Sequence, residues 1–289
     1  MDASFRMGRR ACLGVATAAL LPACATRTMG AARHRELLRE GDVQLDVVVE
    51  GQGPALVLLP SSQRDSEDFD ELAALLAARG FKVLRPQPRG MGASRGPMQG
   101  LGLDTLADDV ALAVRRLGGG RAVLAGHAFG HFVARVADLR HPQLVRGVVV
   151  IGGAARTFPP GLQPALDVAA DATQPREARL AALRLAFFAP GNDPTPWLEG
   201  WHPQLRAAYR GASARPTKDQ WWPVSHSPIL DLQGEQDPWR PPATRNELKD
   251  ALGAQVTVRV VPHASHAMVP EQPRAVAEAI TDWARALRP

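Results

Sequence analysis

Cysteine is nearly absent from this sequence of 289 residues. The two cysteines are Cys12 and Cys24, so the chain after residue 24 cannot form an internal disulfide. The sequence also lacks a cluster of His, Cys and Asp at metal-ligand spacing, and it has no glycine-rich loop that opens a helix as a phosphate-binding loop does. We therefore expect neither a metal ion nor an organic cofactor.

Long blocks of basic residues are absent as well. The formal net charge is +5, but the 34 Lys and Arg residues are scattered and do not form the runs that follow a nucleic-acid backbone. We therefore do not expect the protein to bind nucleic acid. With 45% hydrophobic and 22% charged residues, the composition is typical of a globular chain, and the length allows one large α/β domain with an insertion.

The only apolar run near the N-terminus, residues 11–21, is too short to span a bilayer as a stable helix. Arg6, Arg9 and Arg10 precede it, which is typical of the charged start of a secretory signal peptide. Residues 8–13 resemble a twin-arginine export signal. We therefore interpret residues 1–24 as a signal peptide.

The end of this segment, Leu21-Pro22-Ala23-Cys24, resembles a bacterial lipobox. In such a motif the cysteine becomes the lipidated N-terminal residue of the mature chain, so Cys24 is a candidate lipidation site. We expect an exported protein that is periplasmic or anchored to the membrane through a lipid on Cys24, with the cytoplasm as the alternative. Residues 25–40 are polar and rich in arginine and are interpreted as a linker.

From residue 41 to residue 289 the pattern predicts one α/β domain in which buried strands alternate with helices. Residues 43–50 alternate as an antiparallel edge strand does. Further strands are predicted at about 55–59, 81–84, 122–125, 148–151, 229–233 and 256–261, and helices at about 67–79, 103–117, 130–140, 242–252 and 271–287. The interval at about 155–224 has a different, helical and tryptophan-rich pattern and is interpreted as a cap inserted between two strands.

The motif Gly126-His127-Ala128-Phe129-Gly130 lies between a predicted strand and a predicted helix. In a nucleophile elbow, a serine occupies the centre of such a strand-turn-helix motif, and small residues flank it because the backbones pack closely. Both glycines are present here, but the central residue is Ala128, whose methyl group cannot attack a carbonyl. The flanking His127 and His131 are interpreted as packed or solvent-facing side chains.

Four motifs occur in an order that resembles the α/β-hydrolase-fold superfamily over residues 43–288. They are residues 58–62 after an early strand, residues 89–94 after the next, the elbow at 126–130, and residues 234–237 followed by 263–266. The resemblance implies a mostly parallel, doubly wound sheet with a helical cap.

The same resemblance assigns candidate site residues. Asp237 occupies the position of the triad acid and His266 that of the triad base, a pairing in which the carboxylate orients the imidazole and stabilises its protonated form. The backbone N–H groups of Ser62 and Phe129 occupy the positions of the oxyanion-hole donors.

Aromatic residues in the predicted cap give an indication of the ligand. Phe187, Phe188, Trp197 and Trp201 predict an aromatic-walled substrate pocket, which suits a small hydrophobic molecule. The alternative is that these rings only hold the cap to the rest of the domain.

Three functions fit an elbow without serine. In the first, which we favour, His266 and Asp237 act as a general base on a small hydrophobic ester, carbonyl or enolisable substrate, without a serine nucleophile. In the second, the protein binds a ligand without catalysis. In the third, it is an esterase-like hydrolase in which Ala128 has replaced the serine. The retained acid, base and elbow glycines favour the first.

Overall fold

The computed structural model describes residues 1–2 and 32–287. The expected signal peptide and Cys24 lie outside the described residues, apart from residues 1 and 2. None of the helices within the described ranges combines the length and apolar character needed to cross a membrane.

Eight strands form one sheet within residues 32–287. Their bounds are β1 His34–Glu40, β2 Val43–Glu50, β3 Ala55–Leu59, β4 Lys82–Pro86, β5 Ala122–His127, β6 Val145–Ile151, β7 Ile229–Gly234 and β8 Val256–Val261. Their spatial order is β1-β2-β4-β3-β5-β6-β7-β8. β1 and β2 are antiparallel to their neighbours, and the remaining pairs are parallel, which confirms the predicted mostly parallel α/β sheet.

Two expectations about the start of the domain were wrong. Residues 34–40, expected in a linker, form β1, and residues 43–50 therefore form an interior strand rather than the edge. The prediction failed because β1 is almost entirely exposed and pairs only with β2. Its charged sequence, which is typical of a protected sheet edge, cannot be distinguished from a polar linker by composition.

Helices cover both faces of the sheet, as the alternating pattern predicts. The helices are α1 Asp70–Ala78, α2 Leu103–Ala113, α3 Phe129–Arg140, α4 Leu162–Ala170, α5 Arg176–Ala186, α6 Arg206–Ala212, α7 Lys218–Trp221, α8 Glu247–Leu252, α9 Met268–Glu271 and α10 Pro273–Ala286. Val57 of β3 packs in a cluster with α2, α3 and α8, whereas the adjacent Leu58 packs with α1 and α10. This opposite placement follows from the two-residue period of a strand.

Helices α4 to α7 lie between β6 and β7 and fall inside the interval expected as a cap. We call residues 155–224 the cap segment. Part of it forms its own cluster of buried apolar side chains, which also includes Trp239 and Ala267 from outside the segment. The cap segment is therefore joined to the rest of the domain by apolar packing.

The turn between β5 and α3 depends on close approach of three backbone segments. A Cβ atom on Gly126 would lie 2.2 Å from the carbonyl carbon of Gly130, and a Cβ atom on Gly130 would lie 2.2 Å from the carbonyl oxygen of Leu59 in β3. Both distances are far below van der Waals contact, so only glycine fits at positions 126 and 130. The turn places Ala128 beyond the carboxyl end of β5.

We expect Gly130→Ala to destabilise the protein by about 2 kcal/mol, the usual range for forcing an extra methyl into a packed site. Alanine is the better helix former by about 1 kcal/mol, but the clash with Leu59 outweighs this gain. The measurement is the free energy of unfolding from chemical denaturation. Gly211→Ala is the matched control, because Gly211 is also helical and a methyl group added to it would have no neighbouring atom within 4 Å. Equal stability of the two variants would contradict the packing argument.

Candidate active site

Ala128 occupies a backbone conformation that side-chain-bearing residues rarely adopt. Its φ is 46° and its ψ is −114°, a region that typically costs about 1–3 kcal/mol. Two backbone hydrogen bonds hold it there: its N–H donates to the carbonyl of Ile151 at 2.9 Å, and its own carbonyl accepts from the N–H of His131 at 3.1 Å. The turn between β5 and α3 thus has this strained geometry with an alanine at its centre.

His266 and Asp237, the predicted base and acid, lie in contact. Nδ1 of His266 is 3.0 Å from Oδ2 of Asp237, and both side chains are buried. The other carboxylate oxygen accepts the N–H of Trp239 at 2.8 Å. Because an ionised carboxylate only accepts, Nδ1 of His266 carries the hydrogen and Nε2 of the neutral ring has the lone pair.

The loop that carries His266 is fixed from two sides. Glu271 accepts the N–H of Ser265 at 2.6 Å and the side-chain amide of Asn192 at 2.7 Å, which ties the loop to the cap segment. Burial raises the pKa of the Glu271 carboxyl. On the other side, the N–H of Gln236 donates to the carbonyl of Ala264 at 2.9 Å. These contacts hold the loop that carries Asp237 against the loop that carries His266.

His127 also contacts the loop that carries His266. Its Nε2 lies 2.8 Å from the carbonyl of His266, so Nε2–H is the donor. Burial, followed by the neighbouring His266, lowers the pKa of the His127 ring to about 3. The ring is therefore neutral and packed, as interpreted from the sequence, and it positions the backbone of the base.

A cavity of about 310 Å³ opens beside these residues, which falls at the lower end of the usual range for small-molecule sites. Ala128 and His266 both line it. Much of the remaining wall is apolar and includes Phe132, Phe158 and Leu166. The proposed base, the alanine of the elbow and an apolar wall thus share one space.

Only one of the four predicted pocket aromatics lines this cavity. Phe187 does, whereas Phe188, Trp197 and Trp201 do not. Trp197 is 3% exposed and packs edge-to-face against Phe188 and Trp201 at centroid distances of 5.4 and 5.9 Å. The guanidinium of Arg64 lies 4.5 Å from the Trp197 ring and 4.8 Å from the Trp201 ring. These contacts direct the three rings into the packing of the cap segment, so their assignment to the pocket was wrong.

Four aromatic residues that sequence analysis missed line the cavity instead: Phe132, Phe158, Tyr209 and Trp239. The Trp239 ring is 5.5 Å from the His266 ring, and its Nε1 donates to the carbonyl of Ala186 at 2.7 Å. Tyr209, the only tyrosine of the chain, donates its hydroxyl to the carbonyl of Arg89 at 2.9 Å. The position of Trp239 two residues after the predicted acid was a usable signal, because it lies on the same loop as that acid.

The two predicted oxyanion donors also border the cavity. Ser62 and Phe129 both line it, and neither backbone N–H donates to a protein acceptor within residues 32–287. Phe129 is the first residue of α3, where the N–H has no partner inside the helix. Both N–H groups are therefore available to a ligand oxygen.

Comparison with known proteins agrees with this architecture. A sequence model of the alpha/beta hydrolase family matches residues 56–279. The chain is 34% identical over 111 residues to a 2-(acetamidomethylene)succinate hydrolase of Mesorhizobium japonicum, covering 38% of this chain and 40% of that protein. It is 32% identical over 123 residues to a fluoroacetate dehalogenase of a Burkholderia species, covering 41% of this chain and 40% of that protein. The chain thus aligns with less than half the length of these two relatives.

A solved structure extends the similarity to most of the chain. The thermophilic esterase from Thermogutta terrifontis has a TM-score of 0.69 and 24% identity, covering 88% of this chain and 98% of the esterase. At this identity the likeness concerns the fold. The family match spans most of the sheet and its helices, from β3 to α10, and the chain belongs to the alpha/beta hydrolase family.

Proposed function

We propose that His266 and Asp237 act as a general base on a small hydrophobic ester, carbonyl or enolisable substrate, without a serine nucleophile. One observation carries this proposal. The His266 ring, whose Nδ1 is 3.0 Å from the Asp237 carboxylate, lines the same cavity as Ala128. A base needs reach to its substrate and a partner that stabilises its protonated form, and His266 has both.

In the proposed mechanism, Nε2 of His266 removes a proton from the substrate or from a water molecule beside it. The positive charge that develops on the ring is stabilised by Asp237, which is in contact with Nδ1. Negative charge that develops on a substrate oxygen is accepted by the N–H groups of Ser62 and Phe129, each of which can contribute about 3 kcal/mol to transition-state stabilisation.

The alanine determines which routes are open. Removing the nucleophile of a serine triad costs about a millionfold in rate, so acyl transfer through a covalent enzyme intermediate at position 128 is not a useful route here. Proton abstraction from a substrate and attack by an activated water do not need a hydroxyl at this position. The small methyl of Ala128 leaves space for that water or for the reacting carbon.

A second candidate is an esterase-like hydrolase in which Ala128 has replaced the serine. The observation that favours it is the φ of 46° at Ala128. This conformation presents a nucleophile in an elbow, whereas an alanine gains nothing evident from it. The general-base candidate and the esterase-like candidate differ in the effect that a serine hydroxyl at position 128 would have on activity.

We expect His266→Ala to lower kcat/KM of the wild-type reaction by about 10³-fold, the middle of the range for a general base. Asp237→Asn acts in the same direction, because the amide cannot stabilise the imidazolium. The measurement is turnover of a panel of aryl esters, β-diketones and aryl ketones. His226→Ala is the control, since His226 is exposed. No turnover by the wild type, or equal turnover by the wild type and His266→Ala, would contradict the proposal.

We expect Ala128→Ser to raise the hydrolysis of p-nitrophenyl butyrate by about 10³-fold and to produce a burst of acyl-enzyme formation. The hydroxyl would be placed by the retained turn beside His266 and the two N–H donors. The double variant with His266→Ala should return to the wild-type rate, which shows that the gain depends on the base. If Ala128→Ser is active and the wild type is inert on the whole panel, the second candidate replaces the first.

A further inference from the structure

His131 is a second histidine of the cavity that the proposed mechanism does not use. It is the third residue of α3 and lines the cavity together with Ala128 and His266. Its side chain is 4% exposed, and its ring packs edge-to-face against Phe132 at a centroid distance of 4.6 Å. Sequence analysis interpreted His131 as a packed or solvent-facing residue, but a packed ring that also forms part of a cavity wall can contact a ligand.

The hydrogen bonding of His131 defines which ring nitrogen is free. Nδ1 lies 2.5 Å from the carbonyl oxygen of Ala128. A carbonyl only accepts, so Nδ1 carries the hydrogen and Nε2 of the neutral ring has the lone pair. Within residues 32–287, no protein group donates a hydrogen bond to this Nε2. His131 therefore brings to the cavity wall one acceptor that has no protein partner among these residues.

The surroundings keep this ring neutral. Burial lowers the pKa of the His131 imidazole well below its ordinary value, and the positive charges of Arg135, Lys218 and Arg240 act in the same direction. An imidazolium at this position would be poorly solvated and would face three cations. The lone pair on Nε2 is consequently present throughout the physiological pH range.

We propose that Nε2 of His131 accepts a hydrogen bond from an O–H or N–H group of the molecule that occupies the cavity. The site then selects small apolar molecules that carry such a donor over isosteres in which the donor is methylated. This proposal rests on the proposed function, because it takes the cavity to be the substrate site. It concerns the binding of a molecule there and does not require that the molecule is turned over.

The expected selectivity follows from the cost of covering this acceptor with a ligand that offers it no hydrogen bond. A ligand without the donor leaves Nε2 unsatisfied in a largely apolar space, and a hydrogen bond of this kind corresponds to about tenfold in affinity. Arg206, Arg210 and Ser213 also line the cavity, but none of them donates a hydrogen bond to Nε2 of His131. His266 cannot supply one either while it holds its Nδ1–H against Asp237 and keeps a lone pair on Nε2.

Phenol and anisole form the matched probe pair, because they differ only in methylation of the donor. We expect the wild-type protein to bind phenol about tenfold more tightly than anisole, measured by titration calorimetry. In a His266→Ala background, which removes the other imidazole lone pair of the cavity, His131→Asn should abolish this preference, because its amide keeps a donor toward the carbonyl of Ala128 and lacks the distal acceptor. His131→Gln, whose amide oxygen can reach the position of Nε2, should restore it, and His226→Asn is the exposed control.

A second measurement tests the acceptor without any ligand. In histidine-labelled protein, long-range ¹H–¹⁵N spectra should show His131 as the neutral Nδ1–H tautomer between pH 5 and 8, and phenol should shift the Nε2 resonance. A His131 that titrates in this range, an Nε2–H tautomer, or equal affinities for phenol and anisole would overturn the proposal. Because none of these readouts depends on turnover, an inactive wild type would count against the proposed function alone.

Discussion

The close approach of backbone at the elbow is the constraint on which the site depends. Gly130 lies against the carbonyl of Leu59, and Gly126 lies against Gly130, so the start of α3 is pressed onto the ends of β3 and β5. Phe129 is the first residue of α3, so its N–H has no partner inside the helix, and Ala128 beside it has a φ of 46°. A side chain at either glycine would separate these segments, and the base would then face a differently shaped cavity.

Much of the sheet and the contact between Asp237 and His266 could be predicted because each depends on local sequence. β8 occupies the predicted residues, and Asp237 and His266 follow β7 and β8 as the order of motifs implies. The carboxyl ends of neighbouring parallel strands lie at the same edge of a sheet, so these two loops meet. Residues 34–40 were missed for the opposite reason: an exposed edge strand with a single partner has the composition of a linker.

The cavity wall could not be predicted because it depends on how the cap segment packs. Composition identified Trp197 and Trp201 as aromatic residues of that segment, but not which way their rings face. Both rings stack with the guanidinium of Arg64, which comes from the loop after β3, and a cation–π contact over such a sequence distance leaves no local signal. Trp239 takes the place beside His266 because its loop is already fixed by the hydrogen bond to Asp237.

The two cavity histidines show how surroundings divide roles between identical side chains. His266 has a carboxylate on Nδ1, which favours the ring when it is protonated, so it is suited to accept a proton. His131 has a carbonyl on Nδ1 and the cations of Arg135, Lys218 and Arg240 nearby, so protonation is opposed and its lone pair is retained. Different neighbours on Nδ1 therefore suit these two identical side chains to different tasks. In the two proposals, one imidazole moves the proton and the other recognises the molecule from which it is taken.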